Sequence, residues 1–315
     1  MNQLDAMQTY LRVAELASFT QAAASLGLPK ASVSAAVQQL EALLGTRLLH
    51  RTTRRVQMTQ DGQVVFERCQ DLLADLDELT TMFRAAPSAL TGRLRVDMPL
   101  GVSRTLVMPR LPELLRDHPG LTVELSSTDR RVDLVREGFD CVLRVGALGD
   151  SSLIARPLGH YRLLTCASPD YLAAHGTPRT LDDLAAHQLV HYVSTLGARS
   201  PGFEYQDLAA GGETRFVPMA GAVTVNNSES YQAACLAGLG LIQAPEVGLR
   251  PLIDSGRLVE VLPAWRPAPM PVSLLYANRR HLPQRVQVFM AWLAEVMRPH
   301  VVAAAASGST PDTHA

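Results

Sequence analysis

The stretch that most restricts what this 315-residue chain can fold into is 18–62, SFTQAAASLGLPKASVSAAVQQLEALLGTRLLHRTTRRVQMTQDG. Ser18 is suited to N-cap a helix, and Gln21, three residues on, can reach back to close a capping box. The Ala22-Ala23-Ala24 run keeps one face of that helix thin, so a second helix can approach closely. Gly27 supplies the permissive backbone that a tight turn needs. Pro29 then opens the next helix at a point where a missing amide donor costs nothing. Val33, Val37, Leu40 and Leu44 recur at helical spacing and are expected to face a core. That leaves Lys30, Ser32, Ser34, Ala35, Gln38 and Gln39 pointing outward.

The outward set suits a nucleic-acid groove. Short hydroxyls and a cation meet phosphates, and amide side chains pair with adenine edges. Arg47, Arg51, Arg54 and Arg55 follow, with Thr52-Thr53 as a turn. Such a wing can place an arginine in a narrow minor groove, where the negative potential is strongest. The expected DNA-facing set is Thr20, Gln21, Lys30, Ser32, Ser34, Gln38, Arg51, Thr52, Thr53, Arg54 and Arg55. The competing reading is a small helical domain with a solvated basic loop, and the wing weighs against it.

Charge supports a local patch and no bulk polycation. The chain is formally −1, yet residues 1–55 set six cations against three carboxylates, a net of +3. Binding to DNA is therefore expected to weaken with salt.

A helix is expected over about 59–86, with Thr59 as its cap and Pro87 beyond its end. Val65, Cys69, Leu72, Leu76, Leu79 and Phe83 fall at alternating spacings of four and three, an a/d seam. The seam can pack on its own chain or on a second copy, and its regularity favours the copy. A two-fold dimer would set two recognition helices on successive turns of a dyad-like operator.

With these residues in view, the sequence resembles the LysR-type transcriptional regulators from Leu4 to about residue 297, most closely over 4–62. The resemblance implies DNA-contacting positions at Ser34, Gln38, Arg51 and Arg54, with Arg54 foremost in the minor groove. Many relatives carry an arginine after the recognition-helix serine; here it is Ala35, so base preference does not transfer.

The remaining length and the 47% hydrophobic content allow a sizeable core. No apolar run approaches the length of a membrane helix, and no signal peptide opens the chain, so a soluble, cytoplasmic protein is expected, at the nucleoid when bound to DNA. After a hinge at Pro87–Gly92, strand-like and helix-like segments alternate, the mark of a parallel sheet covered by helices. Strands are expected at 93–98, 121–127, 141–145, 161–168, 222–226, 239–243 and 272–277.

The fold class is thus α/β with an all-α N-terminal head. It comprises a winged helix-turn-helix (1–58), a long coiled-coil linker helix (59–87), a hinge (88–92) and an effector region. The resemblance implies that the effector region is like a type 2 periplasmic binding protein, with subdomains at 93–160 plus 269–300 and at 161–268. The tail from 303 is small and polar and is expected to be disordered.

In such a fold a ligand binds between subdomains at the carboxyl ends of strands. Candidate effector residues are Pro99, Leu100, Gly101, Ser103, Ser127, Thr128, Val193, Ser194, Asn226, Asn227 and Gln243. Two of these stretches open helices, which favours a carboxylate or another anion. Relatives often carry a serine near 101, where this chain has Gly101 with Ser103 close by.

Other chemistry is weak. His187 and His191 lack further ligands for a metal. Cys69, Cys141, Cys166 and Cys235 are scattered and read as small buried hydrophobes in preference to a redox pair. Asp182-Asp183 reads as helix-capping charge. No catalytic set, metal site or cofactor is expected. The expected partners are promoter DNA, a small effector such as a carboxylate, further copies of the chain in a homodimer or homotetramer, and RNA polymerase. An enzyme or solute-binding protein with an incidental helical head is the alternative, and it would need a nucleophile, metal cluster or export signal.

Overall fold

The computed structural model describes every residue except 1, 52–55, 82–89, 150–152, 278–281 and 304–315. It divides into two compact units. The first is built on Met1–Arg93, joined by His118–Thr122 and Pro283–Arg285; the second holds Leu94–Asp117, Val123–Leu282 and Val286–Ala315.

The first unit runs α1 (Gln3–Leu16), α2 (Phe19–Leu26), α3 (Lys30–Leu44), β1 (Leu49–Arg51), β2 (Val56–Met58) and α4 (Gln60–Thr81). The reciprocal capping box lies at the start of α1, between Asn2 and Asp5. At α2 Ser18 accepts the Gln21 amide at 3.3 Å, and the reciprocal bond is not seen there. Gly27 turns the chain in the left-handed region at φ 65°. Tyr10, Val13, Ala22, Val33, Ala36, Val37, Leu40 and Leu48 form one core. Leu44 departs from the expected core face: it is exposed near the helix end, and Ala36 takes a buried place instead. Thr59 caps α4 as expected, its hydroxyl accepting the Gly62 amide at 2.8 Å. Described up to Thr81, α4 has 22 residues and spans about 33 Å.

The second unit carries two lobes. In the first, β3 (Thr91–Met98) leads into α5 (Leu100–Val102), a π-helical turn (Ser103–Val107) and α6 (Met108–Asp117). Then come β4 (Gly120–Ser127), α7 (Leu134–Glu137), β5 (Cys141–Val145) and β6 (Ile154–Tyr161). The second lobe holds β7 (Leu163–Ala167), α8 (Pro169–His175), β8 (His191–Tyr192) and the hairpin β9 (Phe203–Asp207) with β10 (Glu213–Val217). It continues through β11 (Thr224–Val225), α9 (Ser228–Leu236), β12 (Ile242–Pro245), α10 (Glu246–Asp254) and β13 (Val259–Glu260). The chain returns to the first lobe in β14 (Met270–Tyr276) and α11 (Gln284–Met297).

The first sheet is ordered β4-β3-β5-β14-β6 and the second β12-β7-β13. Pairing is mixed where an all-parallel sheet was expected. β3 and β5 are parallel, as are β8 and β11, but β14 runs antiparallel to β5 and β6. β12 and β13 likewise run antiparallel to β7. The returning strand enters the first sheet from the other lobe, so no helical crossover forces it parallel. The strand β6 and the β9–β10 hairpin were not expected. β3 begins at Thr91, inside the expected hinge, and the remainder of that hinge (up to 89), like the tail from 304, lies outside the described residues.

Candidate functional site

In the head, burial of Val33, Ala36, Val37 and Leu40 turns the opposite face of α3 to solvent. Lys30, Ala35, Gln38 and Gln39 are exposed on that face, with Ser32 and Ser34 half-buried at its flanks. Thr20 and Gln21 are exposed at the start of α2. The structure thus brings the expected helix-borne set onto one unit. Of the wing set, the Arg51 backbone is in β1, opposite Val56. Its side chain, and Thr52, Thr53, Arg54 and Arg55, lie outside the described residues.

Sequence reasoning missed the residues that hold the wing. Glu41 on α3 accepts the amides of Leu48 and Leu49 at 2.9 and 3.2 Å. From the other side, the Thr59 hydroxyl donates to the Arg47 carbonyl at 2.7 Å and the Thr59 amide to the Leu48 carbonyl at 2.9 Å. A Cβ on Gly62 would fall 2.0 Å from the Leu48 oxygen, so only glycine lets α4 pass this strand. The Tyr10 hydroxyl, its pKa pushed up by burial, donates to the Gly62 carbonyl at 2.7 Å. Glu41 lies seven and eight residues before the two amides it accepts, a spacing that carries no helical or strand period.

The α4 seam splits. Cys69 is 3% exposed within the head's own core, and half-buried Val65 packs on the same cluster. Those two positions are therefore committed to their own chain, because α4 must close the head before it can meet anything else. Leu72 and Leu79 are 52% and 62% exposed, and Leu76 is half-buried. Phe83 lies outside the described residues.

In the second unit a cavity of about 300 Å³ opens between the lobes. Leu100, Ser127 and Thr128 line it from one side, and Ser194, Asn226 and Asn227 from the other, all expected. Five expected residues are absent from its lining. Pro99 N-caps α5, Gly101 faces the Ser228 hydroxyl, and Ser103 is buried in the π-helical turn. Val193 is buried in the second lobe. Gln243 is spent on structure: it accepts the Glu204 amide and donates to the Glu204 carbonyl, both at 2.8 Å, tying β9 to β12. It lines a separate cavity of about 140 Å³ with Tyr192, Phe216 and Met270.

Asp129 and Arg130, which were not expected, also line the main cavity. The Asp129 carboxylate accepts the Leu100 amide at 3.2 Å and the Ser228 amide at 2.5 Å, so it caps helical segments of both lobes. Arg130 forks onto Glu137 at 2.9 and 2.6 Å. Arg104 reaches Glu229 at 3.1 Å, a second link between lobes. Burial, with the Asp129 charge adding to it, pushes the Tyr192 hydroxyl up to about 12. Behind the strand ends, fully buried Asp97 pairs with Arg144 at 2.9 Å; burial raises its pKa while Ser126 and Arg144 pull it down. Continuing the strand-end rule two residues past Ser127 would have found Asp129.

Among the described residues no group of three or more His, Cys, Asp or Glu side chains is placed to hold a metal. His187 is buried and lies 3.2 Å from the Tyr171 hydroxyl. All four cysteines are free and buried, and burial pushes Cys166 and Cys235 up to about 12, away from reactive thiolates. Asp183 accepts the Arg179 and Thr180 amides at 2.8 Å, a capping role. Among the described residues no helix is long and apolar enough to cross a membrane.

Comparisons with known proteins cover both units. Residues 4–63 match the bacterial regulatory helix-turn-helix protein, lysR family, and residues 87–298 match the LysR substrate binding domain. The chain is 46% identical over 301 residues to an uncharacterized HTH-type transcriptional regulator, YhjC, of Escherichia coli K12, covering 96% of this chain and all of that one. It is 39% identical over 297 residues to an HTH-type transcriptional repressor of Pseudomonas aeruginosa, covering 94% and 92% of the two chains. CrgA, a LysR-type regulator of Neisseria meningitidis, superposes with a TM-score of 0.58 at 29% identity, covering 92% of this chain and 97% of CrgA. These relatives are regulators and not enzymes. A helix-turn-helix head with an exposed polar face, and a two-lobed unit with a polar cavity, are accounted for together: the chain belongs to the LysR family of helix-turn-helix transcriptional regulators.

Proposed function

We propose that this regulator reads promoter DNA as a dimer or a dimer of dimers. Lys30, Ser34 and Gln38 enter the major groove, and the Arg51–Arg55 wing follows the backbone, with Arg54 in the minor groove. The observation that carries this reading is the exposed polar face of α3, opposite a face buried by Val33, Val37 and Leu40. Dimerisation rests on Leu72, Leu76 and Leu79, the seam positions not buried in the head core.

The effector is a small polar molecule held by Ser127, Thr128, Ser194, Asn226 and Asn227. Its binding changes closure of the two lobes and so biases the DNA-bound state, altering DNA bend or contact with RNA polymerase. The protein works in the cytoplasm, where its DNA is. Salt-titrated binding of the full-length protein to DNA upstream of its own gene is the test. Affinity that ignores salt and is unchanged by Arg54→Ala would reject the DNA contacts assigned here.

A further inference from the structure

We propose that Asp129 determines which effectors the cleft accepts. Its carboxylate already occupies the anion place between the lobes, so the cleft takes an uncharged effector bearing hydroxyl or amide groups and turns away small carboxylates. This deepens the effector reading above and rests on it.

The argument begins with the donors. Amides at the start of a helix are the natural partners of a carboxylate. Here the first amide of α9 and the first of the helical stretch that begins at Leu100 both donate to Asp129, at 2.5 and 3.2 Å. α9 is nine residues long, and its third amide, that of Ser230, is taken by the Asn227 side chain at 2.8 Å. Three of the helix-opening amides that an anion would seek, those of Leu100, Ser228 and Ser230, are thus satisfied from within the chain.

The cations near the cavity are committed as well. Arg130 is held by both oxygens of Glu137, and Arg104 pairs with Glu229. An acidic effector would lie beside the Asp129 carboxylate with no opposite charge left to receive it, and like charges at that range repel. Hydroxyls of Ser127 and Ser194 and the amide of Asn226 line the cavity, with the Thr128 hydroxyl and the Asn227 amide, whose oxygens already accept the Arg130 and Ser230 amides, able still to donate; all are neutral. Specificity built this way works by exclusion as much as by fit. Asp129 is also a tie between lobes, since its two oxygens serve one lobe each.

The test uses the full-length protein and two probes of the same shape, acetate and acetamide. Each is titrated at constant ionic strength, with thermal stability and calorimetry as readouts. The wild type is expected to show no saturable acetate binding. Asp129→Ala, which empties the anion place, is expected to gain at least about tenfold in acetate affinity while changing little toward acetamide. Asp129→Asn keeps the size and one acceptor, guards against loss of folding in the first variant, and is expected to gain in the same direction by less. Saturable acetate binding by the wild type overturns the proposal, as does a folded variant that gains none. DNA binding of the same preparations separates the two readings. If Asp129→Ala gains acetate but acetate leaves DNA affinity unchanged, the cleft is not the effector site and the anion assignment stands.

Discussion

The Glu41 carboxylate accepts the amide hydrogen of Leu48 at 2.9 Å, so the helix proposed to face DNA also holds the residue that leads into β1. Leu48 is fully buried, and its amide would otherwise be an unpaired donor beneath the ribbon. The start of β1 is thereby tied to α3, which suits the proposed reading in which helix and ribbon contact adjacent grooves.

Glu41→Ala is expected to destabilise the protein by about 2–3 kcal/mol, because the amides of two buried residues, Leu48 and Leu49, lose a charged acceptor. Glu41→Gln, which keeps an acceptor oxygen, should recover about half. Urea denaturation measures the loss, and wild-type stability in the alanine variant would remove Glu41 from the role given it.

Gly62→Ala places a methyl group 2.0 Å from the Leu48 oxygen, where neither backbone can yield without opening the head. A loss of about 3 kcal/mol or more is expected, beyond ordinary overpacking because the clash is with main chain. Thermal melts of the full-length variant are the check, with lowered DNA affinity accompanying the lowered midpoint.

On DNA, Lys30→Ala should lower the slope of log affinity against log salt by about 0.9 and weaken all sequences alike. Gln38→Ala should instead cost about 1–3 kcal/mol on the preferred operator and little on random DNA. Salt titrations on both DNAs separate these roles, and identical behaviour of the two variants would contradict the assignment.

Leu72→Asp combined with Leu79→Asp is expected to leave the helical spectrum intact, because both side chains are largely exposed on their own chain. The same pair should dissociate the dimer and lower operator affinity by at least about tenfold through loss of the second half-site. Sedimentation at micromolar concentration decides it: a dimer that survives both aspartates is not held by this seam.

His187 gives stability a pH dependence of known sign. Burial first, and the neighbouring His175 second, hold its pKa below 6.5, against a smaller upward pull from Asp183. The unfolded chain then binds the proton more readily than the folded one. The stabilising difference is full above the unfolded value and is lost as pH falls through it toward the folded value. The urea midpoint is expected to fall between about pH 7.5 and about pH 5.5, and His187→Gln should flatten that fall. A variant with the wild-type slope would assign the dependence to other groups.

What could be read along the chain was whatever depends on local order. Ser18, Gly27 and Pro29 act on their immediate neighbours, so the helix–turn–helix and its outward face were legible without a fold. Strand ends sit near ligands in this architecture, which is why six cavity residues were found in advance. Gln243 failed as a candidate because its side chain turns to the β9 backbone, a partner 39 residues away. Strand direction failed for a similar reason: β14 returns from the other lobe and pairs antiparallel, which alternation of elements cannot reveal.

The heptad seam shows the division most plainly. Spacing alone determined that Val65, Cys69, Leu72, Leu76 and Leu79 share a stripe of one helix. Tertiary structure alone decided that Cys69 and Val65 close their own head while Leu72 and Leu79 stay uncovered. The same holds at Glu41 and Asp129, which in sequence are only two carboxylates. Each becomes a structural anion because folding brings backbone amides to it, seven and eight residues on for Glu41 and 29 and 99 residues away for Asp129, and a hydrogen bond at such separations leaves no period to read.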